Sequence, residues 1–232
     1  MLMLRAEGLS KGFTLHLQGG LRLDVLTDLA AFEVAAGECV ALAGPSGAGK
    51  SSLLRCLYGT YRAEAGRILV RHRGEMVDLA AAPPRVVLDI RAETLGYVSQ
   101  FLRVVPRVPT LAVVAEAAEA RGADPAIARA RAAALLERLG IPARLHEVPP
   151  ATFSGGEQQR VNLARGFVAG HPILLLDEPT AALDPENRDA VLGLIAEARA
   201  GGTAIVTVMH DHAARDVVAD RLFAVEPARQ AA

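Results

Sequence analysis

Lysine is almost missing from this 232-residue chain: of 25 basic residues, only Lys11 and Lys50 are lysine. Cysteine is as scarce. Cys39 and Cys56 stand at no metal-ligand or redox spacing, which excludes a cysteine metal site and reads as two free, buried thiols. No apolar run approaches the roughly 20 residues that cross a bilayer, so the 51% hydrophobic content, swollen by alanine, belongs to a core. The first residues, Met1–Glu7, lack the basic start, apolar stretch and cleavage site of a signal peptide, which makes the cytoplasm the default location. A net charge of −1 leaves no strong field to draw the chain onto nucleic acid or acidic lipid. Repeats and low-complexity linkers are absent as well. The length suffices for one large α/β domain, or for a core with a small subdomain.

What is present is concentrated in three short segments. Gly44-Pro45-Ser46-Gly47-Ala48-Gly49-Lys50-Ser51-Ser52 has the form G-x-x-x-x-G-K-S. In such a loop glycines let backbone N–H groups close on phosphate oxygens, the lysine reaches the terminal phosphates and the serine meets Mg²⁺. A lysine here, in a chain that otherwise uses arginine, points to a need for a compact ammonium rather than a planar fork. The loop follows the apolar strand Glu38–Ala43 and opens a helix from Gly49 to about Leu57, the context that makes it a site rather than a glycine-rich turn.

The second segment, Ile173–Pro179, is a buried strand ending in two carboxylates. Ligands collect beyond the carboxyl ends of parallel strands. Asp177 is placed to hold Mg²⁺ through water, and Glu178 to orient or deprotonate an attacking water. The third is Ser154-Gly155-Gly156-Glu157-Gln158-Gln159-Arg160. Ser154 with Glu157 reads as a capping box, and the same helix start is an anion site; the residues alone leave both readings open.

Strands are expected at Met3–Glu7, Thr14–Leu17, Arg22–Val25, Ile68–Arg71, Met76–Leu79, Ile173–Leu176 and Ala204–Val208. A hairpin-like turn falls at Gln18-Gly19-Gly20. Helices are expected at Leu111–Ala120, Asp124–Leu139, from Gly156, at Glu186–Ala200 and from His212. The alternation predicts an α/β fold with a mostly parallel, helix-covered sheet. Residues 101–152 read as an inserted α-helical subdomain, residues 1–100 and 153–225 as the core with an antiparallel β subdomain, and 226–232 as a disordered tail.

In these elements and their order the chain resembles the ATP-binding-cassette (ABC) ATPases, from about Met3 to Ala224. The resemblance implies the P-loop NTPase fold of that family, with ATP and Mg²⁺ as cofactors. It implies Phe13 as the adenine-stacking aromatic (an ordinary core phenylalanine otherwise), and Gly44–Ser51 as the Walker A loop with Ser52 beside it. It further implies Gln100 as the glutamine sensing metal and γ-phosphate, Ser154–Gln158 as the signature motif, and Asp177 and Glu178 as the Walker B pair. Ala182-Leu183-Asp184 matches the D-loop and His210 the switch histidine. Lys50, Glu178 and His210 are thus the catalytic candidates, and Ser51, Gln100 and Asp177 the metal-binding ones. The family works as head-to-tail pairs, each ATP held between one Lys50 loop and the partner's Ser154–Gly156; the second cassette is another copy or a sister ATPase. His16, His72, His146, His171 and His212 lack metal spacing and read as surface or local hydrogen-bonding residues.

Within the family, Val98–Val104, Thr152–Asn162 and the Leu15–Gly20 insert resemble most the cassettes of the bacterial carbon–phosphorus lyase system. That resemblance implies partners in a soluble lyase core complex and a role in making ribose 1-phosphonate 5-triphosphate from ATP and a phosphonate, with no membrane insertion. The second and third segments share features with lipoprotein-release and macrolide-export ATPases, so the nucleotide-binding subunit of a membrane transporter is the alternative. A non-catalytic clamp is disfavoured by the presence of both Glu178 and His210.

Overall fold

The computed structural model describes residues 1–15, 20–100, 102, 107–181 and 183–228, and of Leu21 the backbone alone. Ten strands and seven α-helices are found among them. The strands are β1 (Leu2–Leu15), β2 (Leu21–Leu29), β3 (Phe32–Ala35), β4 (Cys39–Ala43), β5 (Ala65–His72), β6 (Glu75–Asp78), β7 (Leu95–Val98), β8 (Ile173–Asp177), β9 (Ala204–Val208) and β10 (Arg221–Ala224). The helices are α1 (Lys50–Leu57), α2 (Pro84–Glu93), α3 (Thr110–Glu119), α4 (Pro125–Arg138), α5 (Gly155–Val168), α6 (Pro185–Ala200) and α7 (His212–Val218).

One sheet is parallel throughout, in the order β10-β4-β9-β8-β7. Its inner strands, Cys-Val-Ala-Leu-Ala, Ile-Leu-Leu-Leu-Asp and Ala-Ile-Val-Thr-Val, are apolar on both faces because both faces are covered. Alternate residues feed different cores. Val40, Leu42, Leu175 and Val206 pack toward Leu4, Phe32 and Ile68 of the second sheet. Cys39, Leu174, Leu176 and Ile205 pack toward Val114, Leu136, Val161 and Ile195 of the helices. The second sheet is antiparallel, β2-β1-β5-β6, with β3 on the other end of β1. Helices α3 and α4 pack on each other and on α5.

Several elements differ from expectation. Met3–Glu7 and Thr14–Leu17 are expected as two strands, but a single strand runs from Leu2 to Leu15, its register shifting near Gly8–Gly12 where Gly8 takes φ +61°. His16, Leu17 and the turn at Gln18-Gly19 lie outside the described residues. Strand β3, helix α2 and strands β7 and β10 carry no strong local signal, being short or, for α2, started by Pro83-Pro84 rather than by a polar cap.

Candidate functional site

The loop from Gly44 to Gly49 leaves the carboxyl end of β4 and turns into α1. Gly44 and Gly49 hold φ of +147° and +93°, and a Cβ on either would lie 2.4 Å from the Val225 carbonyl or 2.6 Å from that of Val25. Gly47, at φ +81°, has nothing within 4 Å where its Cβ would point. The loop is therefore wedged at both ends and open in the middle, a hollow lined by backbone. Helix α1 begins at Lys50 with no acid in its first turn, so its orphan amides and positive dipole end are free to meet an anion. Lys50, 8% exposed, donates from Nζ to the carbonyls of Gly44 and Pro45, each at 2.9 Å.

The carboxyl ends of β8 and β9 complete the site. Asp177, 3% exposed, accepts from Ser51 Oγ at 2.8 Å on Oδ1 and from the Tyr97 hydroxyl at 3.0 Å on Oδ2. Glu178 takes a left-handed φ of +55°, rare for a side chain of this kind and held by its N–H to the Val208 carbonyl at 3.0 Å. The turn brings Glu178 Oε1 to 2.9 Å from His210 Nε2, and Oε2 to 3.3 Å from the Gln100 amide. Val25, Ser46, Gly47, Gly49, Lys50, Ser51, Ser52, Glu178, Val208 and His210 line one cleft of about 230 Å³.

The donor set fits a hard divalent cation. Ser51 Oγ and the Asp177 carboxylate are oxygens already in contact, and the Gln100 amide oxygen is the one hard ligand atom that side chain can offer; Mg²⁺ favours such ligands and keeps several waters. One other group of potential ligands occurs among the described residues, His72, Asp89 and Glu93. There the Arg73 guanidinium bonds both carboxylates and His72 bonds Thr94 and Asp89, so the ligand atoms are engaged with protein.

Other residues singled out in the sequence lie elsewhere. Ser154 caps α5 in a reciprocal box: Glu157 N–H reaches its Oγ at 3.4 Å, and Glu157 Oε2 accepts from the Ser154 amide at 2.9 Å. The Ser154 hydroxyl, donating to Glu157 Oε2 at 2.7 Å, and then the Ser154 amide hold the Glu157 carboxyl below the usual carboxylate range. Gly155 has open space around it. Asp184 caps α6, taking bonds from the Asn187 backbone and side chain at 3.0 and 2.6 Å. Neither Ser154–Glu157 nor Asp184 lines the cleft of the glycine loop. Phe13 also lies off its lining, packed edge-on against Tyr61 at 5.0 Å with Lys11 4.9 Å from its ring centre. Ala182 lies outside the described residues.

Tyr97 and Val25 were not foreseen. Tyr97 stands on the strand beside Asp177 but 80 positions away in sequence, and its phenol is pushed up to about 12, first by burial and then by the Asp177 charge. The residue pattern Leu-Gly-Tyr-Val shows a strand, not where the hydroxyl goes.

A parallel sheet in which an inner strand, here β4, feeds a glycine loop and a helix defines the P-loop nucleoside triphosphatases. The chain belongs to the ABC transporter family, whose model matches residues 27–181. As an ATP-binding cassette it takes ATP and Mg²⁺ as cofactors.

The lipoprotein-releasing system ATP-binding protein LolD of Shewanella sp. (strain MR-4) is 38% identical over 90% of this chain and 87% of its own length. The macrolide export ATP-binding/permease protein MacB of Sodalis glossinidius (strain morsitans) is 35% identical over 91% of this chain, which spans only 31% of that protein. Among solved structures, a dimeric post-hydrolysis state of an ATP-binding cassette bound to ADP and Pi superposes with a TM-score of 0.85. That match covers 97% of this chain and 94% of the other, at 24% identity. These relatives overturn the expectation of a carbon–phosphorus lyase subunit. The specificity of that likeness rested mainly on Val98–Val104, whereas Thr152–Asn162, shared with the lipoprotein-release and macrolide-export cassettes, builds a helix cap and core contacts. Of Val98–Val104, Phe101, Arg103 and Val104 lie outside the described residues.

Proposed function

We propose that this chain is the nucleotide-binding subunit of an ABC membrane transporter of the lipoprotein-release or macrolide-export type, hydrolysing ATP to drive a permease. The observation that carries the hydrolytic part is the Glu178 carboxylate. It is turned by an unusual backbone angle onto His210 and lines the cleft that Lys50 and Ser51 also line. The named relatives, a lipoprotein-releasing ATP-binding protein and a macrolide export ATP-binding/permease protein, support the transporter part.

In this reading the amides of Gly44–Ser52 and the Lys50 ammonium hold the terminal phosphates. Bound Mg²⁺ neutralises charge on the phosphate oxygens. Ser51, Asp177 and Gln100 hold the ion, Asp177 through water. Glu178 takes a proton from the attacking water while His210 steadies its other oxygen. Phe13 stacks on adenine, its ring braced by Tyr61. Ser154–Gly156 and Asp184 serve the ATP of a second cassette packed head to tail, which accounts for their lying away from this chain's own cleft. A dimeric cassette is known at 24% identity, and the same mode is proposed here.

The test is Glu178→Gln, which keeps the hydrogen-bonding shape and removes the base. ATP binding should persist while turnover drops by at least about 100-fold; turnover at the unaltered rate would assign the proton to another group. For the transporter part, affinity capture of the tagged chain from detergent-solubilised membranes should bring down a polytopic permease. Capture of soluble proteins alone would count against it.

A further inference from the structure

Asp177 is held from two sides, and only one of the holding groups belongs to the glycine loop. Ser51 Oγ donates to Oδ1 at 2.8 Å; the Tyr97 hydroxyl donates to Oδ2 at 3.0 Å. A carboxylate with one donor can rotate about its terminal bond, whereas one donor on each oxygen fixes its plane. An ionised carboxylate can only accept, so the Tyr97 proton goes to Asp177. The ring is fixed by Tyr58, 5.1 Å between centroids, which is itself covered by Arg91 at 4.6 Å.

We propose that Tyr97 is a positioning residue for the metal: it locks the Asp177 carboxylate so that the face beside Ser51 is presented to Mg²⁺ without reorganisation. The proposal rests on the nucleotide-site reading above. It assigns a role to a residue outside every motif of the sequence and acts only through Asp177. Groups of this outer kind orient metal ligands, and their loss weakens metal binding by roughly ten- to a hundred-fold.

The experiment uses the full chain with a non-hydrolysable ATP analogue and Mn²⁺ as the probe, read by electron paramagnetic resonance. Nucleotide affinity is measured alongside in EDTA. Tyr97→Phe keeps the ring and removes the hydroxyl. It should weaken Mn²⁺ binding to the nucleotide complex about ten-fold while leaving metal-free nucleotide affinity within about two-fold. Tyr61→Phe is the control. It keeps the ring that braces Phe13 and removes a hydroxyl bonded to Arg55, at 2.8 Å, without touching Asp177, and should leave Mn²⁺ affinity unchanged. Unchanged Mn²⁺ affinity in Tyr97→Phe overturns the proposal, and so does an equal loss in both variants, which would reduce Tyr97 to packing. If the unaltered chain binds no nucleotide, the nucleotide-site reading falls first and this proposal with it.

Discussion

Glycines 44, 47 and 49 look alike in the sequence but meet different surroundings. A methyl on Gly49 would sit 2.6 Å from the Val25 carbonyl, on backbone with φ +93°. Gly49→Ala should therefore lower stability by about 1–3 kcal/mol in denaturant titrations. Gly47→Ala meets no neighbour and should cost only the left-handed strain of about 1–2 kcal/mol. Gly47 lines the cleft, so the added methyl should weaken nucleotide binding out of proportion to its effect on stability. His171 is the residue for pH. Burial, then the nearby Arg121 charge, lowers its pKa from 6.5 to about 4. The folded state thus favours the neutral ring, and its contribution to stability is intact above pH 6.5 and lost as pH falls toward 4. Replacing His171 with Asn should flatten the fall of Tm across that window relative to the unaltered chain; parallel curves would show that the ring titrates normally.

Helix ends account for much of the candidate site. Helix α1 starts with a glycine and no side-chain cap, leaving its amides for a phosphate, whereas α5 starts with a complete capping box that satisfies Ser154 and Glu157 internally. Ser154 therefore has a structural duty whatever its functional one. Ser154→Ala should cost about 1 kcal/mol of stability. Ser154→Arg, which fills the exposed space beside Gly155, should leave nucleotide binding by the isolated chain nearly intact yet stop hydrolysis. Normal hydrolysis by the arginine variant would leave Ser154 a helix cap and nothing more.

For the whole molecule, the cleft over the glycine loop lacks the α5 start and the Asp184 cap. Two such chains, each lending its α5 to the other's cleft, would close both sites by one two-fold operation, the geometry of an isologous pair. Glu178→Gln with ATP should then sediment as a dimer, and the same variant without ATP, or with Ser154→Arg added, as a monomer. Dimerisation indifferent to ATP would break the link between nucleotide and association. No helix among the described residues is long and apolar enough to cross a membrane.

The sequence by itself determined the elements whose signal is local. Strand Ala204–Val208 is found where alternation and composition put it, and Asp124 caps α4 where the Asp-Pro pair stands. The glycine loop, the strand into Asp177 and the capping box were also legible, because each is written in consecutive residues. Three four-residue strands were not, since a strand such as Phe32–Ala35 or Leu95–Val98 exists only through its neighbours in the sheet, and neither was α2, which starts without a polar cap. The likeness to carbon–phosphorus lyase cassettes, which the relatives overturn, rested mainly on Val98–Val104, of which Phe101, Arg103 and Val104 lie outside the described residues. Only the tertiary structure decided that Tyr97 meets Asp177, that His210 meets Glu178, and that Ser154 and Asp184 stand off the cleft. Those facts depend on parallel register and on strands joined across long crossovers, where contact is set by the folded sheet rather than by spacing along the chain.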